Sequence, residues 1–200
     1  MEMLMFLSQL PASPSSLRVM VRRRMKAAGA IGLQNGVWIL PRAPEQEHFF
    51  QELLSYVEGQ GATCQIFIAQ PFSETVEQDI VVRFQAERDQ EYDEFLEQCR
   101  EFVAELEKES LNQKFTFAEL EETEQNLQRL RKWMDKIQKR DFLKTGKSQD
   151  AIVTFQDCSQ RLQGFIRQVY MQEGIETLPN ENLLSEDGEL PDQENASVTK

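Results

Sequence analysis

The 200-residue sequence predicts an α+β fold, in which a small sheet with two helices is followed by a purely helical part. Three observations support this prediction. Short apolar runs alternate with amphipathic segments as far as Gln70. After Pro71 the apolar residues recur at three- and four-residue steps, and after Glu173 aromatic residues are absent. We therefore expect a first domain at 1–71, a helical extension at 72–172 and a disordered acidic tail at 173–200.

The first strand and helix are predicted from breakers and caps. Met3–Leu10 is an apolar run that ends at a proline, which is typical of a buried strand. Ser13 followed by Pro14 is typical of a helix start, with the serine as N-cap and the proline at the first helical position. Gly29 then ends the helix.

The next four elements complete a recognisable order. Asn35-Gly36 separates two apolar runs, which predicts a hairpin with a type I′ turn. Pro44 opens a second amphipathic helix, and Cys64–Ala69 reads as a strand. The order strand, helix, strand, strand, helix, strand is the split βαβ, or ferredoxin-like, pattern. Two helices should then cover one face of a four-stranded antiparallel sheet.

The remainder is predicted as three helices. Thr75 with Gln78 and Thr116 with Glu119 have the spacing of capping boxes, and Ser148 is expected to cap the last helix. The first of these helices should span about 35 residues, or roughly 50 Å. Its apolar stripe has a gap at Arg88 and consists of Val76, Ile80, Phe84, Tyr92, Phe95, Cys99, Phe102 and Leu106.

The charges are unevenly distributed. The chain has 22 Lys and Arg against 34 Asp and Glu, a net charge of −12, which argues against indiscriminate nucleic-acid binding. Two segments are nevertheless basic. The first basic island consists of Arg18, Arg22, Arg23, Arg24 and Lys26. The second basic island consists of Arg129, Arg131, Lys132, Lys136, Lys139 and Arg140.

Each island has two interpretations. Arg18, Arg22 and Lys26 form one stripe that could bind phosphates or a small oxyanion, because guanidinium groups match such anions. Alternatively, the stripe is a solvated face or pairs with acids at Glu94–Glu109. The second island could line a groove for a nucleic-acid backbone. Alternatively it neutralises the acidic helix at Glu74–Glu109, an interpretation that the opposite charges slightly favour.

The sequence offers little for catalysis or metal binding. The three cysteines, Cys64, Cys99 and Cys158, have no metal or disulfide spacing, so we expect buried thiols in a reducing cytoplasm. His48 is the single histidine, and its flanking Glu45 and Glu52 form no second ligand cluster. No apolar stretch is long enough to span a membrane. We expect neither enzymatic activity nor a cofactor.

Four segments carry a family resemblance: the run Leu10–Pro41, with its Leu-Pro, Leu-Arg-Val and Gly-Val-Trp-Ile-Leu-Pro motifs, and then Ala86–Tyr92, Leu127-Gln-Arg-Leu-Arg and Ile137–Phe142. These segments resemble the ChrB N-terminal domain family of bacterial regulators associated with chromate resistance. The resemblance extends from about Leu4 to Val169. The first domain is also similar to that of a CRISPR adaptation endonuclease, but Ser8-Gln9 stand where its metal-binding Asp would be.

The resemblance implies a transcriptional regulator that binds promoter DNA and responds to chromate or another oxyanion. A homodimer is a further expectation. The alternative is an interaction or dimerisation protein that does not bind DNA. The residues that we expect to bind DNA or an oxyanion are Arg18, Arg22, Arg23, Lys26, Arg131, Lys132 and Lys136.

Overall fold

The computed structural model describes residues 1–11 and 15–175, which form a mixed α+β fold. This part of the chain contains four strands and five helices. In chain order they are β1 (Met3–Gln9), α1 (Ser16–Ala27), β2 (Ile31–Gln34), β3 (Val37–Pro41), α2 (Pro44–Gly59), β4 (Thr63–Ala69), α3 (Glu74–Leu111), α4 (Phe117–Arg140) and α5 (Lys147–Gln172). The order of strands and helices over the first six elements is the predicted one.

The four strands form one antiparallel sheet in the order β2-β3-β1-β4. The first strand is central, so Leu4 pairs with Leu40 of β3 on one side and with Ile68 of β4 on the other. Its central position explains why the sequence Met3–Gln9 is almost wholly apolar, since both faces of a central strand can be covered.

Helices cover both faces of the sheet. Leu4 and Phe6 of β1 pack with buried residues of α1 and α2, as the sequence predicts. Met3 points to the opposite face, because side chains alternate along a strand, and there it packs with Ile39 and Phe84. Phe84 belongs to α3, so the N-terminal part of that helix covers the second face.

The helices α3, α4 and α5 pack on one another around the largest apolar cluster. Phe95 of α3 lies at its centre, in edge contact with Trp133 of α4 at 5.7 Å between ring centroids and 6.4 Å from Phe155 of α5. Each helix contributes one buried stripe and exposes its polar side. Among the residues that the structure describes, no helix is long and apolar enough to cross a membrane.

The helix starts differ in part from the prediction. Ser13 and Pro14 lie outside the described residues, and α1 is described from Ser16. The capping box at Thr75 is wrong: Ser73 caps α3, and its hydroxyl accepts a hydrogen bond from Val76 N at 3.4 Å. Ser73 lies two residues before Thr75 and has the extended backbone that an N-cap needs.

Of the two later helix caps that the sequence predicts, one is confirmed and one is wrong. Thr116 caps α4 as expected, and its hydroxyl accepts from Glu119 N at 3.3 Å. Ser148 does not cap α5, because the helix begins at Lys147 and Ser148 lies inside its first turn. Its hydroxyl is instead 3.2 Å from the Tyr92 hydroxyl of α3. A tertiary contact has replaced the local one.

The predicted tail at 173–200 falls mostly outside the described residues. The last helix ends at Gln172, and only 173–175 of the tail are described. The expectation for 176–200 therefore stays a prediction.

The hairpin between β2 and β3 is present, but its turn is not type I′. Gly36 has a positive φ of 80°, whereas Asn35 does not have the positive φ that type I′ requires of both residues. The register shifts between Gly32 and Gln34, and such a bulge supplies local twist that a primed turn would otherwise give. Ser8 N of β1 donates to Gly36 O at 2.8 Å, so the turn also pairs with the central strand.

Replacement of Gly36 by alanine should destabilise the protein by about 2 kcal/mol or more, because an L residue is strained at this φ. The added Cβ would also lie 2.3 Å from the Ser8 carbonyl oxygen. Gly164→Ala in α5 is the matched control, since a Cβ there meets nothing within 4 Å. The control should stabilise the helix by about 0.5–1 kcal/mol. Urea unfolding of both variants measures the difference, and equal stabilities would contradict the strained turn.

Candidate nucleic-acid interface

The first basic island lies on the outer face of α1. Leu17, Val21 and Met25 are buried on the inner face, one turn apart. The five basic residues are exposed on the remaining surface. Arg24 lies over the Tyr56 ring at 5.3 Å. The cationic stripe predicted from the four-residue spacing is therefore on the surface of the folded protein.

Individual members of the first island differ in their surroundings. Lys26 Nζ is 2.7 Å from both carboxylate oxygens of Glu87 in α3, so an acid of the protein itself balances its charge. The predicted acidic partner was the segment Glu94–Glu109, and the acid that the structure provides lies before it. Arg22 and Arg23 are exposed and form no hydrogen bond or ion pair within residues 1–11 and 15–175.

The second basic island lies along α4. Leu127, Leu130 and Ile137 are buried on its inner face, whereas Arg131, Lys132 and Lys136 are exposed. Neither of these two lysines forms an ion pair inside the described ranges. Their charge is thus available at the surface.

The N-terminal end of the second island faces acidic groups. Arg129 lines a shallow groove of about 270 Å³ between α3 and α4, whose other lining residues include Glu101 and Glu105. Two carboxylates beside one guanidinium do not favour a phosphate. The outer part of the island, from Arg131 to Lys136, is therefore the better candidate for anion binding.

The C-terminal end of the second island is paired with α3. Arg140 Nη2 is 2.6 Å from Glu91 Oε2, and the arginine is mostly buried. The expected attraction between α3 and α4 is therefore present as the ion pair between Arg140 and Glu91. Further bridges to α3 come from Lys147 to Asp93 at 2.6 Å and from Arg161 to Glu107 at 2.7 Å, both outside the island.

The two islands meet at one place on α3. Lys26, the last residue of the first island, pairs with Glu87 of α3. Arg140, the last residue of the second island, pairs with Glu91, one helical turn further along α3. The backbone turn after α1 touches the same arginine, since a Cβ at Gly29 would lie 2.9 Å from Arg140 Cβ. The two basic helices therefore converge, although they are about a hundred residues apart in the chain.

A buried arginine lies between these two acids. Arg88 is only 4% exposed, and its Nη2 is 3.1 Å from Glu91 Oε1. Its Nε and Nη1 have no hydrogen-bond partner. Burial lowers the pKa of Arg88, while the nearby Glu91 carboxylate raises it. The gap in the predicted apolar stripe is therefore a buried ionic position.

A second buried polar link joins α3 to the end of α4. The Tyr92 hydroxyl donates to Asp141 Oδ2 at 3.2 Å, and Asp141 also accepts from Thr145 N at 3.3 Å. Burial raises the pKa of Tyr92. The predictions from the sequence do not include this link. Two features of the sequence indicate it: Asp141 directly follows the basic end of α4, and Arg88 interrupts the apolar stripe of α3 one turn before Tyr92.

The cysteines and the histidine lie outside this convergence. All three thiols are free and buried, as predicted. The pKa of Cys64 is raised by burial, and Cys158 Sγ donates to the Cys99 carbonyl oxygen at 3.7 Å. His48 Nε2 is 3.3 Å from Glu52 Oε1 at an exposed position. In the described part of the chain, no three His, Cys, Asp or Glu side chains are grouped to hold a metal ion.

The fold and the site together define a mixed α+β protein with two basic helices that converge on a buried ionic junction. The sequence profile of the family described as Protein ChrB, N-terminal, matches residues 18–176. Because the match covers most of the chain, the protein belongs to the ChrB N-terminal family, whose name associates it with chromate resistance. No curated protein and no solved structure matches the chain.

Replacement of Tyr92 by phenylalanine should destabilise the protein by about 2 kcal/mol, because it removes a buried hydrogen bond to a charged acceptor. Tyr170→Phe is the matched control. Tyr170 packs edge-on against Phe117, and its hydroxyl forms no hydrogen bond within the described residues. The control should change the free energy of unfolding by less than about 0.5 kcal/mol. Urea unfolding measures both variants. Similar losses of unfolding free energy in the two would contradict a stabilising role for the hydrogen bond between Tyr92 and Asp141.

Proposed function

We propose that the protein is a ChrB-like transcriptional regulator that binds promoter DNA through its two basic islands. The observation that carries this proposal is the convergence of two exposed basic helices on α3, at Glu87 and Glu91. Membership of the ChrB N-terminal family supports the same role. The strand order β2-β3-β1-β4 supports assignment of the first domain to the ferredoxin-like fold.

The net charge of −12 is compatible with DNA binding, because electrostatic fields are local. Exposed charges separated by more than about 8–10 Å are largely screened at physiological salt. A phosphate at Arg22 and Arg23 therefore experiences those guanidinium groups far more strongly than the remote acids. Inward-facing acids of α3, such as Glu87 and Glu91, are already paired with cations.

The two islands have separate roles in this proposal. Arg18, Arg22 and Arg23 form the first set of phosphate contacts, at whose inner end Glu87 holds Lys26. Arg131, Lys132 and Lys136 form the second set. Such contacts fix the position of a protein on the duplex. Chromate or another oxyanion acts by competing for the guanidinium groups of the first island, since it has the charge and geometry of a phosphate. The protein acts in the cytoplasm and is not an enzyme.

Replacement of Arg22 and Arg23 by glutamine tests the first island. Binding to the DNA upstream of its own gene should weaken, and the salt dependence should flatten by about two units for two lost contacts. The control changes the same charge elsewhere: Arg100→Gln with Lys108→Gln on α3, both exposed. A gel-shift titration over several salt concentrations, with and without chromate, gives both quantities. Equal affinities of the two double variants would contradict the role of the first island.

Replacement of Lys132 and Lys136 by glutamine tests the second island. If both islands contact one duplex, this variant should also lose about two units of salt dependence. The fold should be retained, because neither lysine is on the buried face of α4. Unchanged affinity would restrict the DNA contact to α1.

The alternative function is an interaction protein that does not bind DNA. The pairing of Lys26 with Glu87 and of Arg140 with Glu91 favours it, because these cations then serve the fold. Under this alternative the wild-type protein shows no salt-sensitive shift of its own upstream DNA. The same titration therefore separates the two functions.

A further inference from the structure

The two edges of the sheet are protected to different degrees. The β2 edge is only four residues long and has an irregular register between Gly32 and Gln34. In addition, Arg83 Nη2 of α3 donates to the Gly32 carbonyl oxygen at 2.5 Å. Short length, a bulge and a covering charge are features that prevent an edge strand from pairing with another chain.

The β4 edge has none of these features. Its seven residues pair with β1 in unbroken register, and no other described strand pairs with it. No charged residue occurs between Glu58 and Glu74, in a chain of which 28% is charged. Phe67 and Ile68 are 45% and 55% exposed, and Phe72, three residues after the end of the strand, is fully exposed. An uncharged, regularly paired edge strand with exposed apolar side chains is an association site.

We propose that β4 is the interface of a homodimer, in which it pairs antiparallel with β4 of a second copy of the chain. An antiparallel pair of identical strands has twofold symmetry, so each unpaired N–H and C=O of one edge meets its counterpart on the other. The two four-stranded sheets then form one continuous eight-stranded sheet. This interface does not depend on DNA binding.

Charge favours the β4 edge over the rest of the surface as the place where two copies meet. Each chain carries a net charge of −12, so two copies repel each other across most of their surfaces. The β4 edge is the part of the sheet boundary where neither copy presents an acid. A basic protein partner would instead be attracted to the acidic outer surface, because the β4 edge carries no acid to pair with it.

The interface also reaches the size that a specific contact needs. Each copy contributes a seven-residue strand edge and three exposed apolar side chains, Phe67, Ile68 and Phe72. Phe72 is fully exposed, whereas Phe67 and Ile68 are about half exposed, so these side chains and the strand edges of both copies should together bury roughly 1,000 Å². This area is at the lower end for a specific interface.

Replacement of Ile68 by lysine tests the interface, because a charge on the edge opposes strand pairing. Sedimentation of the full chain at micromolar concentrations should give a wild-type mass of twice 23.3 kDa and an Ile68→Lys mass of one chain. Val153→Lys on α5 is the matched control, since Val153 is also 55% exposed but lies on the helical bundle. The control should stay dimeric. A monomeric wild type, or a dimeric Ile68→Lys variant, would overturn the proposal.

Hydrogen exchange of the wild-type protein provides a second measurement that needs no variant. Dimerisation should protect the outward-facing amides of Thr63–Ala69, and dilution should remove that protection in step with the fall in mass. The amides of β2 should show no such dependence on concentration. Protection of β4 that is independent of concentration would overturn the proposal even if the variant failed to fold.

Discussion

The middle turn of α3, from Glu87 to Tyr92, holds the two halves of this protein together. The N-terminal part of α3 covers the sheet through Phe84, and the C-terminal part lies in the helical bundle around Phe95. Between them Arg88 is buried, which is unfavourable for a charge unless acids lie close by. Glu87 and Glu91 supply those acids and also bind cations from α1 and α4.

The same turn explains how an acidic protein can present two basic surfaces. The carboxylates of Glu87 and Glu91 neutralise the inner ends of the islands, at Lys26 and Arg140, and leave the outer cations exposed. Two segments that carry the family resemblance, Ala86–Tyr92 and Ile137–Phe142, meet here. Phe142 reinforces the contact, because it packs against Phe84 at 6.5 Å and belongs to the apolar clusters on both faces of the sheet.

The wrong local predictions share one physical cause. Ser148 has the residue type of a helix cap, but its hydroxyl lies against Tyr92 and the helix begins before it. Asn35-Gly36 has the sequence of a type I′ turn, but a bulge in β2 changes the twist of the hairpin. Several positions can satisfy a cap or turn rule equally well, and packing against β1 or α3 selects among them.

The sequence by itself determined the alternation of strands and helices over residues 3–69, the apolar stripes of the three long helices and the positions of both basic islands in the chain. These features follow from periodicity, which is local in the chain. Only the tertiary structure decided that α3 covers the second face of the sheet, that Glu87 pairs with Lys26, and that the islands converge. Contacts between residues far apart in the chain depend on how whole helices pack, and no local pattern records that packing. The gap at Arg88 was visible in the sequence, but its meaning required the acids that surround it in the fold.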